Sequence, residues 1–107
     1  AIYYFLRNVR LKANKTITYR AEIIDILFNK SWYQEDINLL TKLLLNKVTA
    51  SQIKETILGA DRENIRFQYL DAEFVLNFDY YSQSCWICPN DEASQNKTHQ
   101  LFERLKA

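Results

Sequence analysis

Residues 64–80, NIRFQYLDAEFVLNFDY, decide the fold prediction. Large apolar side chains occupy every second position on both sides of a turn at Asp71-Ala72: Ile65, Phe67 and Tyr69 before it, and Phe74, Leu76, Phe78 and Tyr80 after it. A period of two residues is typical of strands that bury one face. The stretch therefore predicts an antiparallel hairpin, which anchors the remaining assignments.

Two further elements follow this hairpin. Ser82-Gln83-Ser84 predicts a turn, and Cys85–Cys88 predicts a short strand that Pro89 ends. Asn90 or Asp91 then caps a C-terminal helix, whose apolar edge consists of Leu101, Phe102 and Leu105.

Two helices are predicted before the hairpin. Ser31 and Gln34 have the spacing of a capping box, and apolar residues at helical intervals continue to Lys47. Thr49 and Gln52 repeat that spacing and predict a second helix, which Gly59 would end. The inner face of this second helix would be formed by Ile53, Ile57 and Leu58.

The first 28 residues alternate as two strands, with a turn at Ala13-Asn14-Lys15 and a slip of the alternation at Ile23-Ile24. A helix over residues 21–28 is the competing interpretation. The complete prediction is a single α+β domain over residues 1–107, in which an antiparallel sheet of about five strands carries helices packed on one face. The predicted element order is β-β-α-α-β-β-β-α.

Composition excludes several classes of protein. The 107 residues include one glycine, Gly59, so a glycine-rich phosphate-binding loop or dinucleotide fingerprint cannot be built. No stretch of about 18 apolar residues is present to span a membrane, and the start lacks the features of a secretory signal. Two cysteines are too few for a disulfide scaffold. We therefore expect a cytoplasmic protein.

Cys85, Cys88 and His99 are the residues that thiol or metal chemistry would use. A redox Cys-x-x-C motif needs a helix N-terminus, but Trp86 and Ile87 between these cysteines favour a strand. Side chains three positions apart on a strand point to opposite faces, so the sulfur atoms would diverge. We expect packing cysteines, a solvent-facing His99, no cofactor and no catalytic residue, and we keep a thiol or metal protein as an alternative.

Basic residues are concentrated at the start of the chain. Residues 1–20 carry a charge of +5 without an acidic residue, whereas the remainder carries −4. The bases are Arg7, Arg10, Lys12, Lys15 and Arg20. The first three follow Tyr3, Tyr4 and Phe5 at short intervals in the sequence. Cations beside rings are typical of nucleic-acid surfaces. The overall pI of about 8.0 is low for a dedicated nucleic-acid domain. We therefore keep nucleic-acid binding as an alternative that we do not favour.

Residues 78–87 are dense in rings and hydroxyls. Tyr80, Tyr81 and Trp86 are residue types that anchor protein interfaces when they are exposed. The alternative is that they fill the space between sheet and helices, and this fits Trp86 in particular.

The same segment carries a resemblance. Residues 31–36, SWYQED, then Gly59-Ala60-Asp61-Arg62, then residues 76–87, LNFDYYSQSCWI, are similar to a family of short bacterial proteins known as a domain of unknown function. The similarity covers about residues 25–106. It implies a bacterial cytoplasmic protein, and it transfers no catalytic residue.

Size, aromatic content and lack of catalytic motifs together favour a small non-enzymatic module for protein interaction or regulation. We expect a protein partner, and an exposed edge strand would also permit a homodimer.

Overall fold

The computed structural model describes residues 15–107. Six strands form one antiparallel sheet: β1 Lys15–Arg20, β2 Ile23–Phe28, β3 Ser51–Leu58, β4 Arg62–Tyr69, β5 Ala72–Asp79 and β6 Ser84–Pro89. Two α-helices, α1 Ile37–Leu45 and α2 Thr98–Lys106, directly follow the 3-10 segments Gln34–Asp36 and Glu92–Lys97. The predicted α+β class with an antiparallel sheet is confirmed. The predicted count of about five strands and the predicted element order differ from the structure, because residues 15–107 contain six strands in the order β-β-α-β-β-β-β-α.

The β4–β5 hairpin matches the prediction from alternation. Phe67 pairs with Phe74, and the centroids of their stacked rings lie 5.9 Å apart on the buried face. The turn is centred on Leu70-Asp71, one residue earlier than predicted, and Leu70 adopts a left-handed φ of 57°. Its apolar side chain gave no turn signal in the sequence.

The predicted second helix is wrong, because residues 51–58 form β3. This strand pairs with β4, but the register shifts between Ile53 and Glu55, where Lys54 is an extra residue. The bulge places Ile53 and Ile57 on opposite faces of the sheet. The predicted helix placed Ile53 and Ile57 on one inner face, because a spacing of four positions falls on one face of a helix. Gly59 lies in the β3–β4 turn, where its N–H donates to the Arg62 carbonyl, and does not end a helix.

The first predicted helix is shorter than residues 31–47. Helix α1 begins at Ile37, and the predicted Ser31–Gln34 capping box does not mark its start. Instead, the Tyr33 N–H donates to Asp36 Oδ2 at 2.8 Å at the start of the 3-10 turn. Ile37, Leu40 and Leu44 form the buried stripe of α1, as their spacing indicates.

The first hairpin of the described chain consists of β1 and β2. Ala21 and Glu22 turn the chain with φ values of 52° and 66°, the left-handed pair that matches the twist of a two-residue hairpin. The slip at Ile23-Ile24 therefore marks the start of β2, and the alternative helix over residues 21–28 is wrong. The predicted strand before Ala13 lies outside the described residues, as does most of the turn predicted there.

The sheet has one buried face and one open face. Buried side chains of the strands and of both helices form a single cluster, in which the sheet contributes the rings of Phe67, Phe74 and Phe78, each fully buried. The alternate strand positions face the other way and define the open face. One row of it crosses the sheet as Thr18, Asp25, Trp86, Asn77, Asn64 and Ile57. Trp86 is thus half-buried on the open face and does not fill the space between sheet and helices.

Strand order across the sheet is β1-β2-β6-β5-β4-β3. Every neighbouring pair except β2–β6 is also consecutive in the sequence. The β2–β6 pairing is short and joins Ile24 with Ile87, Asp25 with Trp86, and Ile26 with Cys85.

The C-terminal segment starts as predicted, with Asp91 at its N-cap. Asp91 Oδ1 accepts a hydrogen bond from the Ser94 N–H at 2.8 Å. Helix α2 then buries Leu101 and Leu105 against the sheet.

Candidate interaction surface

Tyr81 is the most exposed large side chain of the ring-rich segment. It lies in the turn between β5 and β6, and 87% of its surface is accessible. Tyr80, directly before it, is half-buried and packs against the core. The two tyrosines predicted as interaction residues therefore differ in burial, and Tyr81 has the more exposed ring.

Three hydrogen bonds fix the β5–β6 turn locally. Asp79 Oδ1 accepts from the Ser82 N–H at 3.3 Å, and the Tyr80 carbonyl accepts from the Gln83 N–H at 3.2 Å. The same carbonyl also accepts from Gln83 Nε2 at 2.9 Å. These bonds hold Gln83 at a φ of 57°, a conformation that residues other than glycine rarely adopt.

The Gln83 side chain also joins this turn to a segment 51 residues away in sequence. Its Oε1 accepts from the Trp32 N–H at 2.9 Å, and its Nε2 donates to the Trp32 carbonyl at 3.0 Å. An amide that bonds both backbone groups of one residue acts like a short piece of neighbouring strand. The turn is therefore fastened to the chain before α1.

Trp32 is a firm anchor for that contact. Its side chain is 1% exposed and meets the Phe78 ring edge-on, with centroids 5.4 Å apart. Its ring also lies 6.1 Å from that of Tyr80. Because Trp32 is buried, the bonds from Gln83 tie the turn to the hydrophobic core.

Tyr33 adds a third ring to this end of the sheet. It is 50% exposed, and its ring centroid lies 6.4 Å from that of Tyr80. We call Tyr33, Tyr80 and Tyr81 the tyrosine patch. Tyr33 is not among the interaction residues predicted from the sequence, because it falls within the segment predicted as the first helix. The run Trp32-Tyr33 before an acidic helix start was the signal that could have indicated it.

Three aspartates make contacts close to the tyrosine patch. Asp36 Oδ2 accepts from the Tyr33 N–H, and the Asp61 backbone carbonyl accepts from the Tyr80 N–H, each at 2.8 Å. Asp79 is paired with Arg62 at 3.2 Å.

Trp86, the third predicted interaction residue, lies away from the patch. It borders a shallow depression on the open face with Arg20, Ile23 and Asp25. Of the predicted nucleic-acid residues, Arg20 is exposed here and Lys15 is half-buried at the start of β1. Arg7, Arg10 and Lys12 lie outside the described residues.

The two cysteines lie in β6 on opposite faces, as the strand assignment predicts. Cys85 is buried opposite Phe78, whereas Cys88 is half-buried opposite Val75 on the open face. Burial, assisted by the charge of Asp25, raises the pKa of the Cys85 thiol far above its ordinary value. Asn77 Nδ2 lies 3.5 Å from Cys88 Sγ. This geometry does not bring the two sulfur atoms together.

His99 is an exposed residue of α2. Its Nε2 lies 3.5 Å from Glu103 Oε1, and its ring meets the Tyr19 ring edge-on at 5.3 Å. Burial, with a smaller effect of Glu22, raises the pKa of Tyr19. Over residues 15–107, no three histidine, cysteine or acidic side chains are grouped so that they could hold a metal ion. Within the same range, neither helix has the length and apolar character needed to cross a bilayer.

Comparison with known proteins gives a family but no activity. A family model described as a protein of unknown function (DUF3630) matches residues 15–106, which include all the strands and helices of the described residues and the tyrosine patch. No curated protein and no solved structure matches the chain. The match confirms the predicted resemblance to a family of unknown function and extends it to the β1–β2 hairpin: the chain belongs to the DUF3630 family.

Proposed function

We propose that this protein is a non-enzymatic interaction module that binds a protein partner through the tyrosine patch. The supporting observation is the Tyr81 ring, 87% exposed at the tip of a turn that Gln83 fastens to buried Trp32. Tyrosine and tryptophan are over-represented among the residues that dominate binding energy. An aromatic side chain has few rotatable bonds, so it loses little conformational entropy when a partner covers it.

Preorganisation strengthens this interpretation. Binding to a mobile loop requires that the loop be ordered, and that ordering reduces affinity. The β5–β6 turn is already held by bonds within itself and by the two bonds to the Trp32 backbone. Gln83 is held in a left-handed conformation, and strained backbone of this kind is concentrated at functional sites. This supports a role for the fixed position of Tyr81 in binding.

Site-specific photo-crosslinking tests the proposal. A benzophenone amino acid replaces Tyr81 in cells that produce the protein, and a matched control replaces Lys47, an exposed residue just beyond α1. We expect one dominant protein adduct from position 81 and none from position 47. With the purified partner, Tyr81→Ala should weaken binding by roughly 10- to 100-fold, the range of an interface hot spot.

The folded state is checked in parallel. Because the Tyr81 side chain is exposed, Tyr81→Ala should leave the urea midpoint of unfolding unchanged. Equal adducts from positions 81 and 47, no adduct from position 81, or unaltered affinity of Tyr81→Ala would each refute the proposal.

A further inference from the structure

The outer edge of β3 is the longest uncovered strand edge of the described sheet. Among residues 15–107 this strand has a neighbour on one side only, β4. Every residue from Gln52 to Leu58 is exposed, and three of them are large and apolar: Ile53 at 49%, Ile57 at 55% and Leu58 at 71%. An edge with free backbone groups and apolar side chains on both faces is a template for another strand.

We propose that β3 pairs antiparallel with β3 of a second copy of this chain, about a two-fold axis that passes between Lys54 and Glu55. The two sheets then continue into one another. The pairing is isologous, so each contact occurs twice and the assembly closes as a dimer.

The bulge makes this register possible. A two-fold axis perpendicular to a sheet preserves its faces, so residues opposite each other must point to the same side. Ile53 lies opposite buried Phe67 and therefore points to the buried face, whereas Glu55 reaches Arg66 on the open face at 3.4 Å. Lys54 Nζ lies 3.4 Å from Gln52 Oε1, so it also reaches the open face.

These face assignments select one pairing. With Lys54 opposite Glu55 of the second copy, all eight residues of β3 face a residue of the same side. The cross-strand pairs are Ser51 with Leu58, Gln52 with Ile57, Ile53 with Thr56, and Lys54 with Glu55. A shift by two residues in one direction sets Lys54 opposite Ile53, and a shift in the other direction sets Glu55 opposite Thr56. Either shift therefore pairs residues that point to opposite faces.

Charge supports the same register. It creates two Lys54–Glu55 pairs at the centre of the interface, and opposite charges directly across neighbouring strands are stabilising. Edge lysines and bulges ordinarily prevent edge pairing. In the proposed pairing, Lys54 lies opposite Glu55 of the second copy, and the bulge lets residues that lie opposite each other point to the same face. Both features therefore favour this register over the shifted ones. The interface is small, so the dimer forms as protein concentration rises.

Charge reversal tests the pairing. Sedimentation of the whole chain over a concentration series should show a monomer–dimer equilibrium. Lys54→Glu places two like-charge pairs at the axis and should weaken the dimer about tenfold or more. Lys54→Glu combined with Glu55→Lys reverses both pairs and should restore association. Thr18→Glu, on β1 at the far side of the described sheet from β3, is the matched control and should leave the dimer unchanged.

A zero-length crosslink identifies the contact directly. Carbodiimide treatment of mixed ¹⁴N- and ¹⁵N-labelled protein should give a mixed-isotope peptide that joins Lys54 to Glu55. A protein that remains monomeric throughout the series would overturn the proposal. So would a dimer that ignores Lys54→Glu, or one that the combined variant does not rescue, or the absence of that mixed peptide.

Discussion

Several turns of this protein contain residues other than glycine in the left-handed backbone conformation, which such residues rarely adopt. Positive φ angles occur at Ala21, Glu22, Ala50, Leu70 and Gln83, and none of these is glycine. A side chain in the left-handed region clashes with the backbone, at a cost of about 1–2 kcal/mol per residue. Interactions of the surrounding strands must offset this cost. Substitution by glycine at such a position should therefore relieve the strain.

Ala21→Gly is therefore expected to stabilise the protein. Glycine removes the Cβ clash at φ 52°, while it also increases the entropy of the unfolded chain, so the net gain is about 0.5–1 kcal/mol. Ala60→Gly is the matched control, because Ala60 is exposed in the β3–β4 turn without a positive φ. The control should destabilise by a similar amount in urea unfolding. The same sign for both variants would show that Ala21 is unstrained.

Single elements show what sequence patterns can and cannot predict. The β4–β5 hairpin follows from strict alternation, whereas β3 was predicted as a helix because the extra residue Lys54 interrupts its alternation. Tyr80 and Tyr81 were predicted from their residue types. Tyr33 was not, because only tertiary structure brings it beside Tyr80. Local patterns record local structure, and a bulge or a contact between distant segments leaves no local signal.

Strand β6 allows a direct test of its cysteines. Cys88 should react first with a disulfide reagent at pH 8, since Cys85 is buried and its raised pKa keeps it protonated. Two kinetic phases are expected, and Cys88→Ser should remove the fast one. The slow phase should accelerate with urea, because it requires opening of the core. Fast reaction of both thiols would contradict the buried position of Cys85.

At the scale of the whole molecule, the sheet divides at the β2–β6 junction. The strands from β3 to β6 follow one another as hairpins, whereas β2 meets β6 through three residue pairs only. The β1–β2 hairpin is also covered by α2, where Tyr19 stacks on Phe102 at 5.4 Å. This junction is therefore the place where part of the sheet can separate from the rest.

Native-state hydrogen exchange should reveal that separation. Amides of β1 and β2 are expected to exchange through a partial opening of lower free energy than that of β4 and β5, because fewer strand contacts must break. Exchange rates measured by NMR at increasing urea concentrations give both energies. Identical opening energies for β2 and β5 would show that the sheet opens only as a whole.

The same junction has a consequence for synthesis of the chain. A ribosome makes β2 before its partner β6, and residues 29–83 emerge between them. Until then Ile24 and Ile26, which are buried in the finished protein, lack their cross-strand neighbours Ile87 and Cys85. The β3–β6 segment can form its hairpins as each strand emerges, because each neighbour has just been made. The nascent β1–β2 hairpin therefore keeps apolar side chains exposed for longer than the hairpins that follow it.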